Sequence, residues 1–206
     1  AAPGQAMSTE VSVRQLLDQA RKQLDQRTLE PQVRQSIQRM LGHLYLSLGE
    51  SEVAATTFDA GLKNVQPRNR DEALALAKDL DGHASALATL ERGKDSLARA
   101  QQANALRARF APGDAQQRFL GQRQLAIAYG SLADCKQGDA HWKQALATVG
   151  SMATPVVADI ADAHAAYAQF LYACGEYARG FEIAGQGLVA ADRLHLPALA
   201  PARARL

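Results

Sequence analysis

The two cysteines are the side chains of this sequence with the most reactive chemistry. Cys135 and Cys174 are far apart and do not form the CxxC pairs that bind zinc or exchange disulfides. We therefore expect two small, buried, free thiols, each near a turn between helices. The alternative is a disulfide bond between the two, which an oxidising compartment would allow.

The histidines and carboxylates show no spacing typical of a catalytic or metal centre. The HExxH motif is absent, and helical spacing places Asp159, Asp162 and His164 on different faces of one helix. The sequence also lacks a GxxxxGKS/T loop, a Gly-x-Ser-x-Gly turn and a strand-anchored GxGxxG loop. We expect no metal ion, no cofactor and no catalytic activity in this chain.

A second group of polar side chains is suited to binding rather than to catalysis. Arg39, His83 and Arg123 recur at a nearly regular spacing, and each could donate hydrogen bonds to carboxylates or backbone carbonyl oxygens. Together with their neighbours they form a predicted binding groove, which comprises Arg39, His43, His83, Arg123, Gln169 and Tyr172. The alternative interpretation is a solvated groove with no ligand.

A recurring order of small and bulky residues indicates the elements that position these side chains. Its clearest copy contains Leu41-Gly42, Tyr45, Leu48-Gly49, Ala54, Phe58 and Gly61-Leu62. Two antiparallel helices pack closely where one presents Gly or Ala to the bulky residues of the other. We therefore expect the aromatic residues of the pattern to be buried; they are Tyr45, Phe58, Tyr129 and Trp142.

Four copies of this pattern follow one another along the chain. Their turn residues are taken as Gly49, Gly93, Ala133 and Gly175, so the copies follow at a similar but not constant spacing. The pattern resembles the tetratricopeptide (TPR) repeat, whose period of about 34 residues is shorter. The resemblance implies an all-α fold, an α-solenoid of antiparallel helix pairs that forms a right-handed superhelix. Binding would then lie on the concave face, lined by the first helix of each pair.

Proline and glycine positions predict the domain organisation. We expect an N-terminal linker at 1–9, an extra capping helix at 10–29, and four helix pairs within 30–192, at about 30–66, 70–111, 114–150 and 155–192. Asp114 is a predicted N-cap. Pro155 and Pro197 are one repeat period apart, so residues 193–206 are interpreted as the start of a fifth pair, or alternatively as a terminal cap.

Composition limits the classes of partner. The formal net charge is +2, which is too small to indicate binding to nucleic acid or to an acidic membrane surface. No apolar run approaches the roughly 18 residues that a membrane-spanning helix requires. Because the sequence begins Ala1-Ala2-Pro3-Gly4 without an initiator Met, we expect it to be part of a longer protein.

Residues 8 to 62 carry a narrower resemblance. The run Val11-Ser12-Val13-Arg14-Gln15-Leu16-Leu17-Asp18-Gln19-Ala20, then Glu30-Pro31, and then Leu41 to Gly49 is similar to the region after the membrane helix in certain bacterial kinases. These are receptor-type serine/threonine kinases with tetratricopeptide repeats. Arg14-Gln15 replace the usual acidic residue before Leu16. The resemblance implies a periplasmic sensor domain, with the kinase domain and the membrane anchor upstream.

The expected function is therefore that of a non-catalytic scaffold that binds a protein or peptide. A small extracytoplasmic ligand and a homodimer are further partners that the resemblance allows, whereas nucleic acid is not expected. The alternative is a cytoplasmic adaptor or chaperone-like module of a regulator or a secretion system. A third interpretation is an accessory domain of an enzyme whose active site lies elsewhere.

Overall fold

The computed structural model describes residues 12–152 and 157–193, and this part of the chain is all-helical, without β-strands. A single 3-10 turn, Val149–Ser151, follows the seventh helix. The α-helices in chain order are α1 (Val13–Gln26), α2 (Pro31–Ser47), α3 (Ser51–Gly61), α4 (Arg70–Thr89), α5 (Gly93–Phe110), α6 (Ala115–Gly130), α7 (Cys135–Thr148), α8 (Val157–Ala173) and α9 (Tyr177–Arg193).

The all-helical character that periodicity and punctuation predict is confirmed in the described part of the chain. Asp114 is the N-cap of α6, and its side chain accepts a hydrogen bond from the backbone of Gln117, as predicted. The helix α7 begins at Cys135, and the Asp134 side chain caps it by accepting a hydrogen bond from the backbone of Gln137. The linker 1–9, Pro155 and the segment 194–206 with Pro197 lie outside the described residues.

Each first helix of a pair ends in the same left-handed turn. Gly49, Glu91, Ala133 and Gly175 have φ angles of 77°, 57°, 55° and 79°. In every copy the N–H of this residue donates to the carbonyl three residues back, at 3.0 Å. The next N–H donates to the carbonyl five residues back, at 2.9–3.0 Å. This is the Schellman arrangement, which satisfies the last carbonyls of a helix.

These turns correct the period derived from the sequence. Glu91, not Gly93, is the turn residue of the second pair, and the spacing of successive turn residues is therefore constant, 49 to 91 to 133 to 175. Gly93 begins α5 and is buried, and a Cβ there would lie 2.8 Å from the Leu132 side chain. Residues separated by one or more whole periods are called equivalent below, because they have the same place relative to these turns.

Consecutive helices pack against one another. The first helices of neighbouring pairs are also in contact, α2 with α4 and α4 with α6. Phe58 of α3 is fully buried between two glycines, because a Cβ at Gly42 or Gly82 would lie 2.9 or 2.8 Å from its ring. Tyr45 and Trp142 are also buried, as predicted, whereas Tyr129 is only half-buried. A glycine on one helix thus makes room for an aromatic ring on another.

The N-terminal helix α1 packs against α2. Leu24 is buried in one cluster with Leu41 and Tyr45, and the Tyr45 hydroxyl donates a 2.8 Å hydrogen bond to Asp18. Burial, with the added effect of the Asp18 carboxylate, raises the pKa of Tyr45 to about 12. The tyrosine therefore remains a neutral donor to α1 at any physiological pH.

The expectation of two free thiols is wrong. Cys135 at the start of α7 is bonded to Cys174, which directly follows α8, with Cα atoms 5.9 Å apart. The constant register explains the contact, because Gly93 and Leu132, the residues equivalent to this pair, already touch one helix pair earlier. The disulfide joins the third helix pair to the fourth.

The turns predict the effect of glycine at position 133. A left-handed conformation costs a non-glycine residue roughly 1 kcal/mol. We expect Ala133→Gly to raise the free energy of unfolding by about 0.5–1 kcal/mol. Ala140→Gly, at a site within α7 that is not fully buried, is the control and should lower it by about 1 kcal/mol. Denaturant unfolding measures both, and a loss of stability in both variants would contradict the role of the turn.

Candidate interaction surface

The first two residues of the predicted groove are held by an aspartate of the next first helix. Arg39 Nε lies 2.7 Å from Asp79 Oδ2, and His43 Nε2 lies 2.9 Å from Asp79 Oδ1. Arg39 also donates a 3.0 Å hydrogen bond to the carbonyl of Gly61. The guanidinium of Arg39 therefore links α2, α3 and α4, and these hydrogen-bond donors are used within the fold.

His83 is not a groove residue, contrary to the prediction. Its side chain is only 1% exposed, and its ring stacks on that of Phe58 with centroids 5.9 Å apart. The equivalent positions hold Leu41 and Leu125, which are buried as well. The residue equivalent to Arg39 in the second pair is Asp81. The predicted series of Arg39, His83 and Arg123 is therefore misaligned by two positions in the second pair.

Asp81 forms a buried ion pair that connects three helices. Arg107 is 3% exposed and donates two hydrogen bonds to the carboxylate of Asp81 and one to Gln117, at 3.2 Å. Burial raises the pKa of Asp81, and the charges of Arg107 and then of Arg123 oppose this change. Arg123 is half-buried beside this cluster. The polar contacts at the position equivalent to Arg39 are thus made within the chain, between Asp81, Arg107 and Gln117.

The last two predicted residues, Gln169 and Tyr172, lie instead on an open surface. Gln169 is exposed, and Tyr172 is 65% exposed. Beside them Tyr177 is 55% exposed and Phe181 is 77% exposed. The rings of Tyr172 and Tyr177 meet edge to face with centroids 4.9 Å apart. We call these four residues, Gln169, Tyr172, Tyr177 and Phe181, the α8–α9 patch.

Small residues give the α8–α9 patch a concave floor. Ala168, Gly180 and Ala184 lie between the aromatic side chains and line a shallow depression with them. Exposed apolar side chains that are contiguous in this way are typical of protein-binding surfaces. The geometry is suited to binding an apolar side chain or helix.

Sequence reasoning missed Tyr177 and Phe181 because it considered only the first helix of each pair. A signal was present in the sequence. The residues equivalent to Tyr177 are Ser51, Gly93 and Cys135, and a large aromatic side chain replaces these small ones only in the last pair.

Other chemistry is limited in the described part of the chain. Within residues 12–152 and 157–193, no three His, Cys, Asp or Glu side chains come together as a metal site. His164 Nδ1 lies 2.8 Å from the carbonyl of Ile160 in its own helix, and the Asp159 side chain lies outside the described part. None of the helices described is both long and apolar enough to cross a membrane.

No family model matches the chain, and no curated protein matches it.

The burial of His83 predicts how stability depends on pH. Burial lowers the pKa of His83 to about 4, although the carboxylate of Asp59, 3.6 Å away, opposes this change. The ordinary pKa of histidine is about 6.5, so the unfolded chain binds this proton more tightly. The neutral, buried side chain of His83 therefore contributes fully to stability above about pH 6.5. This contribution is lost as the pH falls from there towards 4.

The matched variant for this prediction is His83→Leu, which introduces the residue found at the equivalent positions 41 and 125. Between pH 7.5 and 4.5 the wild-type protein should lose roughly 2–3 kcal/mol more unfolding free energy than the variant. Denaturant unfolding at the two pH values gives the difference. Equal losses in the two proteins would show that His83 does not carry the effect.

Proposed function

We propose that this chain is a non-catalytic scaffold of the tetratricopeptide type that binds a protein partner through the α8–α9 patch. Its helix pairs would form an α-solenoid with a right-handed superhelical path. The observation that carries the proposal is the exposure of Tyr172, Tyr177 and Phe181 around one concave apolar surface. Tyrosine, tryptophan and arginine are the side chains that most often dominate binding energy at protein interfaces.

The disulfide supports a location outside the cytoplasm. Structural disulfides persist in oxidising compartments such as the bacterial periplasm, and they are rare in the cytoplasm of ordinary bacteria. The Cys135–Cys174 bond therefore favours the periplasmic interpretation over the cytoplasmic adaptor. The resemblance of residues 8 to 62 to receptor-type serine/threonine kinases supports the same location. On this proposal the chain is the sensor domain of such a kinase, outside the cytoplasmic membrane.

A sensor of this kind would transmit binding by a change in shape or association. Partner binding at α8–α9 would alter the dimerisation of the domain or the curvature of its helix stack. The direct test of the kinase assignment is the coding sequence upstream of Ala1. A membrane-spanning segment preceded by HRD and DFG motifs would support it, and a DNA-binding helix-turn-helix in that place would contradict it.

We predict that both cysteines are oxidised in the cells that produce the protein. Cells are quenched in acid, and the protein is treated with a maleimide-polyethylene glycol reagent before and after reduction. Both cysteines should be labelled only after reduction. Cys135→Ser is the control, because it leaves Cys174 free to react without reduction. Labelling of the wild-type protein before reduction would support the cytoplasmic alternative.

We also predict that partner binding requires the aromatic side chains of the patch. Tyr177→Ser/Phe181→Ser should reduce the amount of partner retained by the full-length protein at least tenfold, as expected for interface aromatics. The control is Val33→Ser/Met40→Ser, which removes two apolar side chains of α2 that are 48% and 58% exposed. Quantitative mass spectrometry after affinity purification compares the variants. Equal retention by all of them would contradict this role of the patch.

A further inference from the structure

The α8–α9 patch occupies places that are covered in the earlier helix pairs. Tyr177 is equivalent to Gly93 and Cys135, and both of these contact the following pair. A Cβ on Gly93 would meet Leu132, and Cys135 is bonded to Cys174. Leu132 and Cys174 are themselves equivalent, since each lies in the turn after the first helix of its pair. The same contact between neighbouring pairs therefore occurs twice.

Phe181 follows the same rule. Its equivalent Ala55 is 2% exposed, and its equivalent Asp139 accepts a 2.6 Å hydrogen bond from the hydroxyl of Tyr167 in the next first helix. Phe181 itself is 77% exposed. A place that the next helix covers in the third pair is thus open in the last pair of the described chain.

The place of Tyr172, and that of Gly180 on the floor of the patch, also face the next first helix in the third pair. The residue equivalent to Tyr172 is Gly130, and the residue equivalent to Gly180 is Gly138. A Cβ at Gly130 would lie 3.3 Å from the Phe170 ring, and a Cβ at Gly138 would lie 2.5 Å from it. One aromatic side chain of α8 therefore covers both places.

Gln169 completes the surface. Its equivalents His43 and Ser85 make polar contacts to the next first helix, to Asp79 at 2.9 Å and to Gln124 at 3.2 Å. Each place of the patch therefore has an equivalent that contacts the first helix of the following pair or the turn that ends it. That helix is the element that fits the surface.

The covering helices share one pattern of side chains. Four residues at i, i+3, i+4 and i+7 lie on one face of a helix. These residues are His83, Ala86, Leu87 and Leu90 in α4 and its turn; Leu125, Ala128, Tyr129 and Leu132 in α6 and its turn; and Tyr167, Phe170, Leu171 and Cys174 in α8 and its turn. In the first set all residues except His83 are apolar. In the other two sets every side chain has an apolar body.

We propose that the partner of the α8–α9 patch contributes an amphipathic α-helix with apolar residues at i, i+3, i+4 and i+7. The helix lies parallel to α8, with residue i at Phe181, residue i+3 over Gly180 and residue i+7 at Tyr177. This mode of binding is a helix in an apolar groove. It rests on the proposed function, and it continues the contact between neighbouring helix pairs seen within the chain.

The orientation can be trapped with a disulfide. The probe is a synthetic peptide with the sequence of residues 115–134, which contains α6, and in which Leu132→Cys has been introduced. The protein carries Tyr177→Cys. These two positions are equivalent to Cys174 and Cys135, the pair already bonded in the chain. In a buffer of oxidised and reduced glutathione, we expect a peptide–protein disulfide to form.

Two matched controls test the register. One is the same peptide with the cysteine at position 131 instead of 132, and the other is the protein with Ala178→Cys instead of Tyr177→Cys. We expect the pair 132/177 to cross-link at least tenfold faster than either control pair.

Phe181→Ser should lower the affinity of a fluorescent peptide of residues 115–134 at least tenfold. Tyr177, Ala178 and Phe181 are exposed, so helicity by circular dichroism should be unchanged.

Three other outcomes would overturn the proposal. A wild-type protein that is dimeric in light scattering and becomes monomeric with Phe181→Ser would show that a second copy covers the patch, and would overturn the proposal. Cross-linking that occurs only after residues 194–206 are removed would show that the chain covers its own surface, with the same consequence. Absence of cross-linking, while partner retention still depends on Tyr177 and Phe181, would overturn this inference and leave the proposed function intact.

Discussion

The left-handed residue at the end of each first helix is the constraint on which the rest of the structure depends. Gly49, Glu91, Ala133 and Gly175 reverse the chain with the same two backbone hydrogen bonds and recur at a constant spacing. Because the turns are identical, equivalent side chains meet equivalent neighbours. Contacts as different as a glycine against a leucine and a disulfide can therefore occupy corresponding places in successive pairs.

The all-helical fold could be predicted because helical periodicity, proline and capping residues are local signals. The prediction failed at the second turn because Glu91 adopts a conformation that glycine favours, and Gly93, two positions later, attracted the assignment. That error moved His83 into the predicted groove. The structure buries it, because His83 is equivalent to Leu41 and Leu125. Local signals place helices but do not fix the register between distant ones.

The candidate site was predicted only in part for a related reason. Gln169 and Tyr172 were selected because of their place in a first helix, and they are exposed. Arg39 and His43 are in a similar place, yet Asp79 holds both of them. Whether a polar side chain is available to a partner depends on contacts between residues far apart in the sequence, such as that of His43 with Asp79. Only three-dimensional packing reveals such contacts.

The disulfide also affects how the chain comes apart. Cys135 and Cys174 are 39 residues apart, and the bond makes a closed ring that contains α7 and α8. Closing a ring of this size removes about 4 kcal/mol of conformational entropy from the unfolded chain. Helix pairs can open locally at a lower free energy than the whole fold. The disulfide ring keeps α8 close to α7 during such an opening. The surface that α8 shares with α9 can therefore re-form rapidly.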